Sequence, residues 1–380
     1  MKKLLSLFLS VVIIASCGIF VSAENPVLDL TAKSALLMEK STGKILFEKN
    51  SHEPLPPASV TKIMTMLLVM EALDNGQFTL DDMVRVSPFA ASMGGSQVFL
   101  EENEQMTVND MLKAVAVASG NDAAAALAEF TAGSHDAFVT KMNARAKELG
   151  MNDTTFVNCN GLDAEGHMTS AHDIAVMSRE LMKHPKIYEY TTIWMDSLRD
   201  GAFGLVNTNK LIRFYQGATG LKTGSTSVAG FCISATANRD NMELIAVVMG
   251  SPTSKERFAD ATKMLDFGFA NYTILKSLAS EDELSCLYVK KGLKPDLTIA
   301  LDGNFNMLIE KSKIGSIEKK IILPEYVNAP IKKSQKVGYV EYLIEGNSIG
   351  KCDILSQEDI KALNPWGMMK KLSSNYFYNK

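Results

Sequence analysis

Predicted strands at both ends of a helical segment are the feature that most restricts how this chain can fold. The stretch SALLMEKSTGKILFEKN near the N-terminus indicates two strands, because Ser and Gly supply a tight turn between two apolar runs. Short apolar strands return over residues 219–250, and a closing helix follows in SKERFADATKMLDFGFANY. Helical spacing of apolar residues predicts the helices between them: 59–74, 107–119, 121–131, 135–149 and 170–183. We therefore predict one α+β domain over residues 26–277, in which the N-terminal hairpin joins the later strands in one sheet.

The pattern of apolar and polar residues changes at about residue 283. Short alternating segments such as DLTIALD and KKIILPE, and a strand–turn–strand pattern around EGNS, predict a small all-β domain over residues 281–356. Near the C-terminal end, large apolar residues recur at three- and four-residue steps: Trp366, Met369, Leu372 and Tyr376. This spacing is typical of an amphipathic segment lying in a membrane surface, a role we assign to residues 359–380. A helix packed on the β domain is the alternative.

The first 23 residues have the pattern of a secretory signal peptide. Two lysines precede the apolar run LLSLFLSVVIIA, and the small-residue site VSA ends at Ala23. The apolar run is shorter than the ~20 residues that a membrane-spanning helix needs. The stretch IASC, ending at Cys17, resembles a lipoprotein cleavage site and is the alternative processing point. The chain is expected to be exported, and to be held at the extracytoplasmic face of the cytoplasmic membrane by its C-terminal tail.

Charge and cysteine content argue against several classes of protein. The net charge is −4 and no basic stripe is present, so a nucleic-acid partner is not expected. The five cysteines form no Cys-x-x-Cys pair, which removes support for a zinc site or for thioredoxin-like chemistry. Cys286 and Cys352 could form a disulfide, but buried free thiols are at least as compatible with the spacing.

Only one of the four Ser-x-x-Lys pairs in the chain opens a long apolar helix. The others fall in turns or strand-rich segments, where this spacing does not bring the side chains together; they begin at Ser41, Ser316 and Ser348. In PPASVTKIMT, residues 56–65, two prolines prevent the helix from extending backwards. Ser59 is therefore predicted in the first turn, with Lys62 one turn away on the same face.

The start of this helix suits a nucleophile as well as a cap. Its free N–H groups can stabilise an oxyanion, and its dipole favours negative charge on the Ser59 oxygen. Lys62 can accept the hydroxyl proton only when neutral, which requires a pKa lowered from roughly 10.4 by burial or by a second cation. The simpler alternative is that Ser59 only caps the helix.

The motif SGN, residues 119–121, favours the nucleophile. It joins two predicted helices with a polar kink after the apolar AVAVA. Ser119 can relay a proton towards a leaving amine, and the Asn121 amide can bind a substrate carbonyl.

The motif KTG, residues 222–224, lies on a predicted strand before Ser225. Lys222 is the second cation that would discharge Lys62. The Thr223 hydroxyl can bind a terminal carboxylate together with Lys222. Gly224 has no side chain, so a peptide can pair along the strand edge.

Taken in order, Ser-x-x-Lys, Ser-x-Asn and Lys-Thr-Gly resemble the motifs of penicillin-binding proteins and class A β-lactamases. The chain is most similar to the low-molecular-mass penicillin-binding proteins, specifically the serine-type D-alanyl-D-alanine carboxypeptidases of peptidoglycan metabolism. The resemblance covers nearly everything, including LPPASVTKIMT, SGNDAAAALAE, GLKTGST, the β domain and the tail. It implies a β-lactamase/transpeptidase-like domain, with an antiparallel sheet flanked by helices, and no metal or organic cofactor.

The resemblance also implies a role for each motif residue. Ser59 is the acylated nucleophile, Lys62 the general base and Ser119 a further catalytic residue. The expected substrate-binding residues are Asn121, Lys222, Thr223, Gly224 and Ser225. The backbone N–H groups of Ser59 and Ser225 would form the oxyanion hole. In some relatives the position of Ser225 is His, so their pH behaviour should not be transferred to this chain.

The implied reaction is a two-step acyl transfer. Ser59 attacks the penultimate D-Ala carbonyl of a stem pentapeptide, the terminal D-Ala leaves, and water hydrolyses the acyl-enzyme. β-Lactams are expected to acylate the same serine. A β-lactamase, a D,D-endopeptidase or transpeptidase, and a catalytically silent protein that binds cell-wall peptides are the alternatives.

Three other features were weighed for chemistry. The stretch ELGMN, beginning at Glu148, resembles the Glu-x-x-x-Asn element of a lactamase, but it is interpreted as an exposed helix end. Arg257 is interpreted as an exposed helix arginine, with the orientation of a substrate carboxylate as the alternative. The segment GLDAEGH, with Asp163 and His167, is predicted to border the site without taking part in the reaction.

Overall fold

The computed structural model describes residues 28–276, 279, 284, 286–303, 305–364, 366, 367 and 369. The chain divides into two compact units, residues 1–30 and 31–380, and the fold described below is that of the second. The predicted signal peptide, Cys17 and most of the predicted tail therefore lie outside the described residues. Within the described part, no helix has both the length and the apolarity needed to cross a membrane.

A five-stranded antiparallel sheet organises the first part of this unit. The strands up to residue 251 are β1 Ser34–Glu39, β2 Ile45–Lys49, β3 Met83–Arg85, β4 Gln105–Thr107, β5 Met195–Leu198, β6 Phe203–Val206, β7 Ala218–Thr226, β8 Gly230–Arg239 and β9 Met242–Ser251. The order in the main sheet is β2-β1-β9-β8-β7, with Leu36 of β1 opposite Val247 of β9. The N-terminal hairpin thus joins the later strands, as predicted, and β7 lies at one edge.

Helices cover both faces of this sheet. The helices of this part of the chain are α1 Lys62–Asp74, α2 Pro88–Ala91, α3 Val108–Lys113, α4 Asn121–Ala132, α5 His135–Glu148, α6 Ala171–Leu181, α7 Tyr188–Thr191, α8 Leu211–Phe214 and α9 Ser254–Asn271. Both α6 and α9 pack on β9, which is buried along its whole length, so these two helices lie on opposite faces. Every residue of α1 from Lys62 to Met70 is buried, because its apolar side chains point in all directions and α4 and α6 pack around it.

The predicted helix over 59–74 is correct only from Lys62 onwards. Ala58–Thr61 form a 3₁₀ turn instead, so Ser59 lies just before the α-helix rather than within its first turn. The reason is the backbone of Ala58, whose φ of 48° places it in the left-handed region that a right-handed helix cannot contain.

The SGN segment has a similar discontinuity. After α3 the chain forms a wider π-type turn, Ala114–Ala118, and Ser119 follows with φ of 64° before α4 begins at Asn121. The predicted polar kink between two helices is therefore present, and the left-handed Ser119 is what produces it.

The C-terminal part is built from short strands with a hydrophobic cluster of its own. The strands are β10 Tyr272–Leu275, β11 Leu287–Lys290, β12 Asp296–Leu297, β13 Ile299–Leu301, β14 Met307–Glu310, β15 Glu318–Ile322, β16 Tyr326–Asn328, β17 Lys336–Ile344 and β18 Asn347–Ser356. Sheet β13-β18-β17-β15 contains the predicted strand–turn–strand, and Val340 and Ile354 belong to its buried cluster. The closing helix ends at Asn271, and Tyr272–Leu275 pair with β14. The predicted α+β fold with an all-β C-terminal part is confirmed, whereas the domain limits 26–277 and 281–356 stay predictions.

The four described cysteines are free thiols. Cys159, Cys232 and Cys352 are buried, whereas Cys286 is exposed. Of the two possibilities left open for Cys286 and Cys352, the disulfide is not formed.

Candidate active site

The predicted serine–lysine pair is in direct contact. Nζ of Lys62 lies 2.9 Å from Oγ of Ser59, at the junction of the 3₁₀ turn and α1. The same nitrogen contacts Oδ1 of Asn121 at 2.5 Å and the carbonyl oxygen of Asn160 at 2.7 Å. The amide of Asn121 is oriented by its Nδ2, which donates to the carbonyl of Gly94 at 2.6 Å. Three oxygens therefore surround a lysine nitrogen that has no access to solvent.

Burial favours the neutral form of Lys62. It lowers the pKa of the ammonium from 10.5 to about 7, although the nearby Cys159 and Asp122 favour the charged form. Removal from water is thus the main cause of this lowering, and the repulsion between Lys62 and Lys222 lowers the pKa of Lys222. Close to neutral pH a large fraction of Lys62 is an uncharged amine that can accept a proton.

Strand β7 brings Gly224 of the KTG motif against Ser59. A Cβ atom on Gly224 would lie 2.7 Å from the backbone nitrogen of Ser59, so only glycine allows this approach. Lys222 is buried, and burial lowers its pKa well below the usual range, with further lowering by the charges of Lys62 and Arg257. Oγ1 of Thr223 donates to Thr208 at 2.8 Å, whereas Ser225 is exposed.

Of the SGN residues, Asn121 contacts Lys62, and Ser119 lies at the joint just before α4. Ser119 is buried there, and the backbone N–H of Asn121 donates to Ser96 at 2.7 Å. The next residue, Asp122, is buried and accepts hydrogen bonds from the backbone N–H groups of Val98 and Leu100. The loop over residues 94–100 is thus hydrogen-bonded to the start of α4.

Two contributors to the site were missed by sequence reasoning. Asn160 contributes its backbone carbonyl, which any residue possesses, so no residue-type signal could identify it. Asp122 does follow the SGN motif directly, and an acid in the first turn of a helix is a recognisable signal.

The GLDAEGH loop borders the site, as predicted. Gly161 packs on the carbonyl of Ala58, since a Cβ there would come within 1.8 Å of the Ala58 oxygen. Asp163 accepts a hydrogen bond from Thr226 of β7 at 2.8 Å. His167 is buried, with Nε2 2.8 Å from Oγ1 of Thr61, and burial lowers its pKa from 6.5 to about 4. The loop therefore contacts both β7 and the 3₁₀ turn that carries the serine.

The interpretation of Arg257 as an exposed helix residue is wrong. Arg257 lies in the first turn of α9, is buried, and directs Nη1 to the carbonyl oxygens of Gly224 at 3.1 Å and Cys232 at 3.2 Å. Burial lowers the pKa of its guanidinium to about 10, so the group stays charged at neutral pH. Arg257 is therefore not exposed, and it binds the main chain of the sheet behind the KTG motif.

The lactamase-like Glu148 is an exposed helix end, as interpreted. It is the last residue of α5 and forms an ion pair with Arg145 at 3.1 Å. Among the described residues, no three His, Cys, Asp or Glu side chains are grouped in a way that could hold a metal ion.

Comparison with known proteins gives the chain a family context. A family model described as D-alanyl-D-alanine carboxypeptidase matches residues 20–253, and one described as penicillin-binding protein 5, C-terminal domain, matches residues 272–362. The D-alanyl-D-alanine carboxypeptidase DacF of Bacillus subtilis is 47% identical over 87% of this chain and 86% of its own length.

Two solved structures extend this similarity to three dimensions. Penicillin-binding protein 5 of Haemophilus influenzae has a TM-score of 0.72 at 32% identity, covering 88% of this chain and 99% of its own. Penicillin-binding protein D2 of Listeria monocytogenes, in its ampicillin-bound form, has a TM-score of 0.59 at 34% identity, covering 64% of this chain and all of its own, 100%.

Proposed function

The chain belongs to the D-alanyl-D-alanine carboxypeptidase family, and on that premise we propose that Ser59 is its acylated nucleophile and Lys62 the base that activates it. The protein is a serine D-Ala-D-Ala carboxypeptidase that acts on peptidoglycan stem peptides and binds penicillin. The observation that carries the residue assignment is the fully buried Lys62 nitrogen in contact with the Ser59 hydroxyl.

The three contacts of Lys62 explain how it serves as a base. A neutral amine has two N–H bonds and one lone pair. The carbonyl oxygens of Asn121 and Asn160 accept the two hydrogens, so the lone pair is left for the hydroxyl proton of Ser59. When Ser59 attacks the penultimate D-Ala carbonyl, that proton moves to Lys62 and a bond forms between Oγ and the carbonyl carbon.

The KTG residues bind the end of the substrate. Lys222 and Thr223 receive the terminal carboxylate, whose negative charge raises the pKa of Lys222 and restores the ammonium ion. The peptide then extends along the open side of β7, where the lack of a side chain on Gly224 lets its main chain approach Ser59. The scissile carbonyl is placed between the backbone N–H groups of Ser59 and Ser225, which stabilise the oxyanion.

Breakdown of the tetrahedral intermediate completes acylation. The proton held by Lys62 passes through the Ser119 hydroxyl to the leaving nitrogen, and the terminal D-Ala departs as a neutral amine. Water then attacks the ester carbonyl with Lys62 as the base, which releases the shortened peptide and restores Ser59. Asn121 holds Lys62 in place through both steps and offers its amide to the acyl side of the substrate.

An extracytoplasmic location for this reaction is part of the proposal. We propose that residues 1–23 direct export and that the tail keeps the enzyme peripherally at the membrane, facing its substrate. The exposed side chains of Trp366 (73%) and Met369 (61%) are compatible with insertion into a membrane surface. The separate hydrophobic clusters support a catalytic domain over 26–277 and a β domain over 281–356.

Release of D-Ala from a diacyl-L-Lys-D-Ala-D-Ala peptide tests the assignment. We expect the purified protein to release D-Ala, and Ser59→Ala to release none. Penicillin should add its mass to the wild type, with a lifetime of minutes or longer, and not to Ser59→Ala. The matched control is Ser348→Ala, which removes the exposed serine of another Ser-x-x-Lys pair and should change neither result. Equal D-Ala release by wild type and Ser59→Ala would overturn the proposal, and penicillin turnover within seconds would favour a β-lactamase.

A further inference from the structure

The two oxyanion donors belong to peptide units that are held from the opposite side. The peptide bonds before Ser59 and before Ser225 are trans, since the cis bonds among the described residues lie elsewhere. In a trans unit the C=O of one residue and the N–H of the next point in opposite directions in one rigid plane. A side chain that fixes the carbonyl of Gly224 therefore aims the N–H of Ser225, and one that fixes the carbonyl of Ala58 aims the N–H of Ser59.

Arg257 fixes the first of these carbonyls. Its Nη1 donates to the carbonyl oxygen of Gly224 at 3.1 Å, and its Nη2 donates to Oγ of Ser254 at 3.2 Å. Phe231 and Phe258 lie against the guanidinium and restrict its movement. A charged donor also polarises the peptide unit, so that the N–H of Ser225 becomes a stronger donor on the cleft side.

The arrangement around Arg257 is costly for stability alone. The guanidinium is buried, and its Nε has no hydrogen-bond partner within the described part of the chain. A buried donor left without a partner destabilises a fold by about 1–3 kcal/mol. An apolar side chain would avoid this cost, so the position of Arg257 points to a role in the reaction.

A relay of three hydrogen bonds fixes the second carbonyl. The backbone N–H of Val157 donates to Nδ1 of His167 at 2.9 Å, so in the neutral ring the hydrogen is on Nε2. Nε2 then donates to Oγ1 of Thr61 at 2.8 Å, and this hydroxyl donates to the carbonyl oxygen of Ala58 at 2.8 Å.

The backbone of Ala58 needs this support. Its φ of 48° is unfavourable for a residue with a side chain, and such a conformation persists only where the surroundings hold it. Thr61 and the close approach of Gly161 hold the Ala58 carbonyl from two sides.

We infer that Arg257 and the His167–Thr61 pair are positioning residues that aim the N–H groups of Ser225 and Ser59 at the oxyanion through the carbonyls of Gly224 and Ala58. This inference rests on the proposed function, because it takes Ser59 as the acylated residue. None of the three side chains needs to touch the substrate. Each acts from behind the cleft on a peptide unit whose other side faces it.

Two measurements on the reaction of the protein with a β-lactam test the inference. The first is the rate constant of acylation by a β-lactam, separated from its dissociation constant by stopped-flow kinetics. The second is the infrared stretching frequency of the ester carbonyl, from a β-lactam carrying ¹³C at the reactive carbonyl. Hydrogen bonds from the oxyanion hole lower this frequency, and a change in stability alone does not move it.

The variants are Arg257→Met, Arg257→Lys and Thr61→Val. Loss of one oxyanion donor costs about 10²–10³ in rate, so misdirecting a donor should slow acylation by about 10- to 100-fold. The dissociation constant should change little, and the carbonyl frequency should rise. Thr61→Ser keeps the hydroxyl and should restore both values. Arg257→Lys keeps the charge but has only one donor group. Its acylation rate and carbonyl frequency should lie between those of Arg257→Met and wild type, so the inference stays testable if Arg257→Met does not fold.

Arg179→Met is the matched control. Arg179 also donates to two backbone carbonyls, those of Lys40 and Ser41, but at the opposite edge of the sheet. We expect wild-type acylation and carbonyl frequency for this variant. Folded Arg257 and Thr61 variants with unchanged acylation rate and frequency would overturn the inference, while an unacylated wild type would instead refute the proposed function.

Discussion

Oδ1 of Asn121 lies 2.5 Å from Nζ of Lys62, so the second motif holds the lysine that the first motif supplies. The contact does not require a charged partner, because an amide oxygen accepts a hydrogen bond from a neutral amine and lacks the full negative charge with which a carboxylate would raise the pKa of the lysine. The amide is prevented from rotating by its bond to the carbonyl of Gly94. Asn121 thus holds Lys62 in place without recharging it.

Replacing this amide by a carboxylate should recharge the base. In Asn121→Asp an anion faces Lys62 in a buried position, and an opposite charge at this distance raises a lysine pKa by about 1–3 units. Acylation at pH 7 should fall at least tenfold, and recover as the pH is raised. Stopped-flow acylation by a β-lactam between pH 6 and 10 measures this. An unchanged pH profile would contradict the assigned role of Lys62.

The wild-type rate of acylation should depend on the protonation of Lys62. Burial lowers the pKa of this group to about 7, so the neutral, proton-accepting form dominates above that pH and the ammonium below it. The rate should rise about tenfold per pH unit on the acid side and level off above pH 7. The side chain of Ser225 does not titrate near neutral pH, so it should add no second change to the pH profile of the acylation rate. A rate constant that is flat from pH 5 to 9 would exclude Lys62 as the base.

Gly224→Ala should disable the site because the added Cβ would collide with the backbone at Ser59. The added Cβ would lie 2.7 Å from the nitrogen of Ser59 and 2.9 Å from that of Val60, both backbone atoms that can move only with the 3₁₀ turn. Acylation should slow about 100-fold, and the free energy of unfolding should fall by about 1–3 kcal/mol. Gly204→Ala on strand β6 is the control, because a Cβ there has no neighbour within 4 Å. Full acylation by Gly224→Ala would contradict the close approach.

His167 should make the folded state sensitive to acid. Its pKa is lowered from 6.5 to about 4 by burial, so the unfolded chain binds a proton between these values and the folded chain does not. The stabilisation is complete above pH 6.5 and is lost as the pH falls through 4, by about 3 kcal/mol in total. Urea unfolding of wild type and His167→Gln at pH 7.5 and pH 4 tests this. The variant should lose less stability on acidification, and equal losses would contradict the prediction.

Several parts of the site could be predicted because local chemistry determines them. Pro56 and Pro57 precede the turn that leads into the helix, and the three-residue spacing brings Lys62 next to Ser59. The kink at SGN and the strand at KTG are also local features. The whole-chain resemblance then placed these motifs in one cleft.

Other parts depend on contacts between distant segments, and sequence patterns do not encode them. Arg257 has the polar character of an exposed helix residue, and its burial follows only from the packing of α9 beside the carbonyls of Gly224 and Cys232. The Asn160 contact uses a backbone oxygen, which is common to every residue type. The 3₁₀ turn at Ser59 depends on the conformation of Ala58, an alanine that by type alone favours an α-helix.

Strand β7 has no further neighbour among the described strands of its sheet, and this vacancy affects which substrates the enzyme can tell apart. In the proposed binding mode, a stem peptide pairs with this edge as a sixth strand, through main-chain groups that are the same in every stem peptide. The main-chain hydrogen bonds of this pairing do not themselves depend on the side chains along the strand. In this binding mode, we expect discrimination between substrates to depend on the free carboxylate and the small D-residues at the chain end.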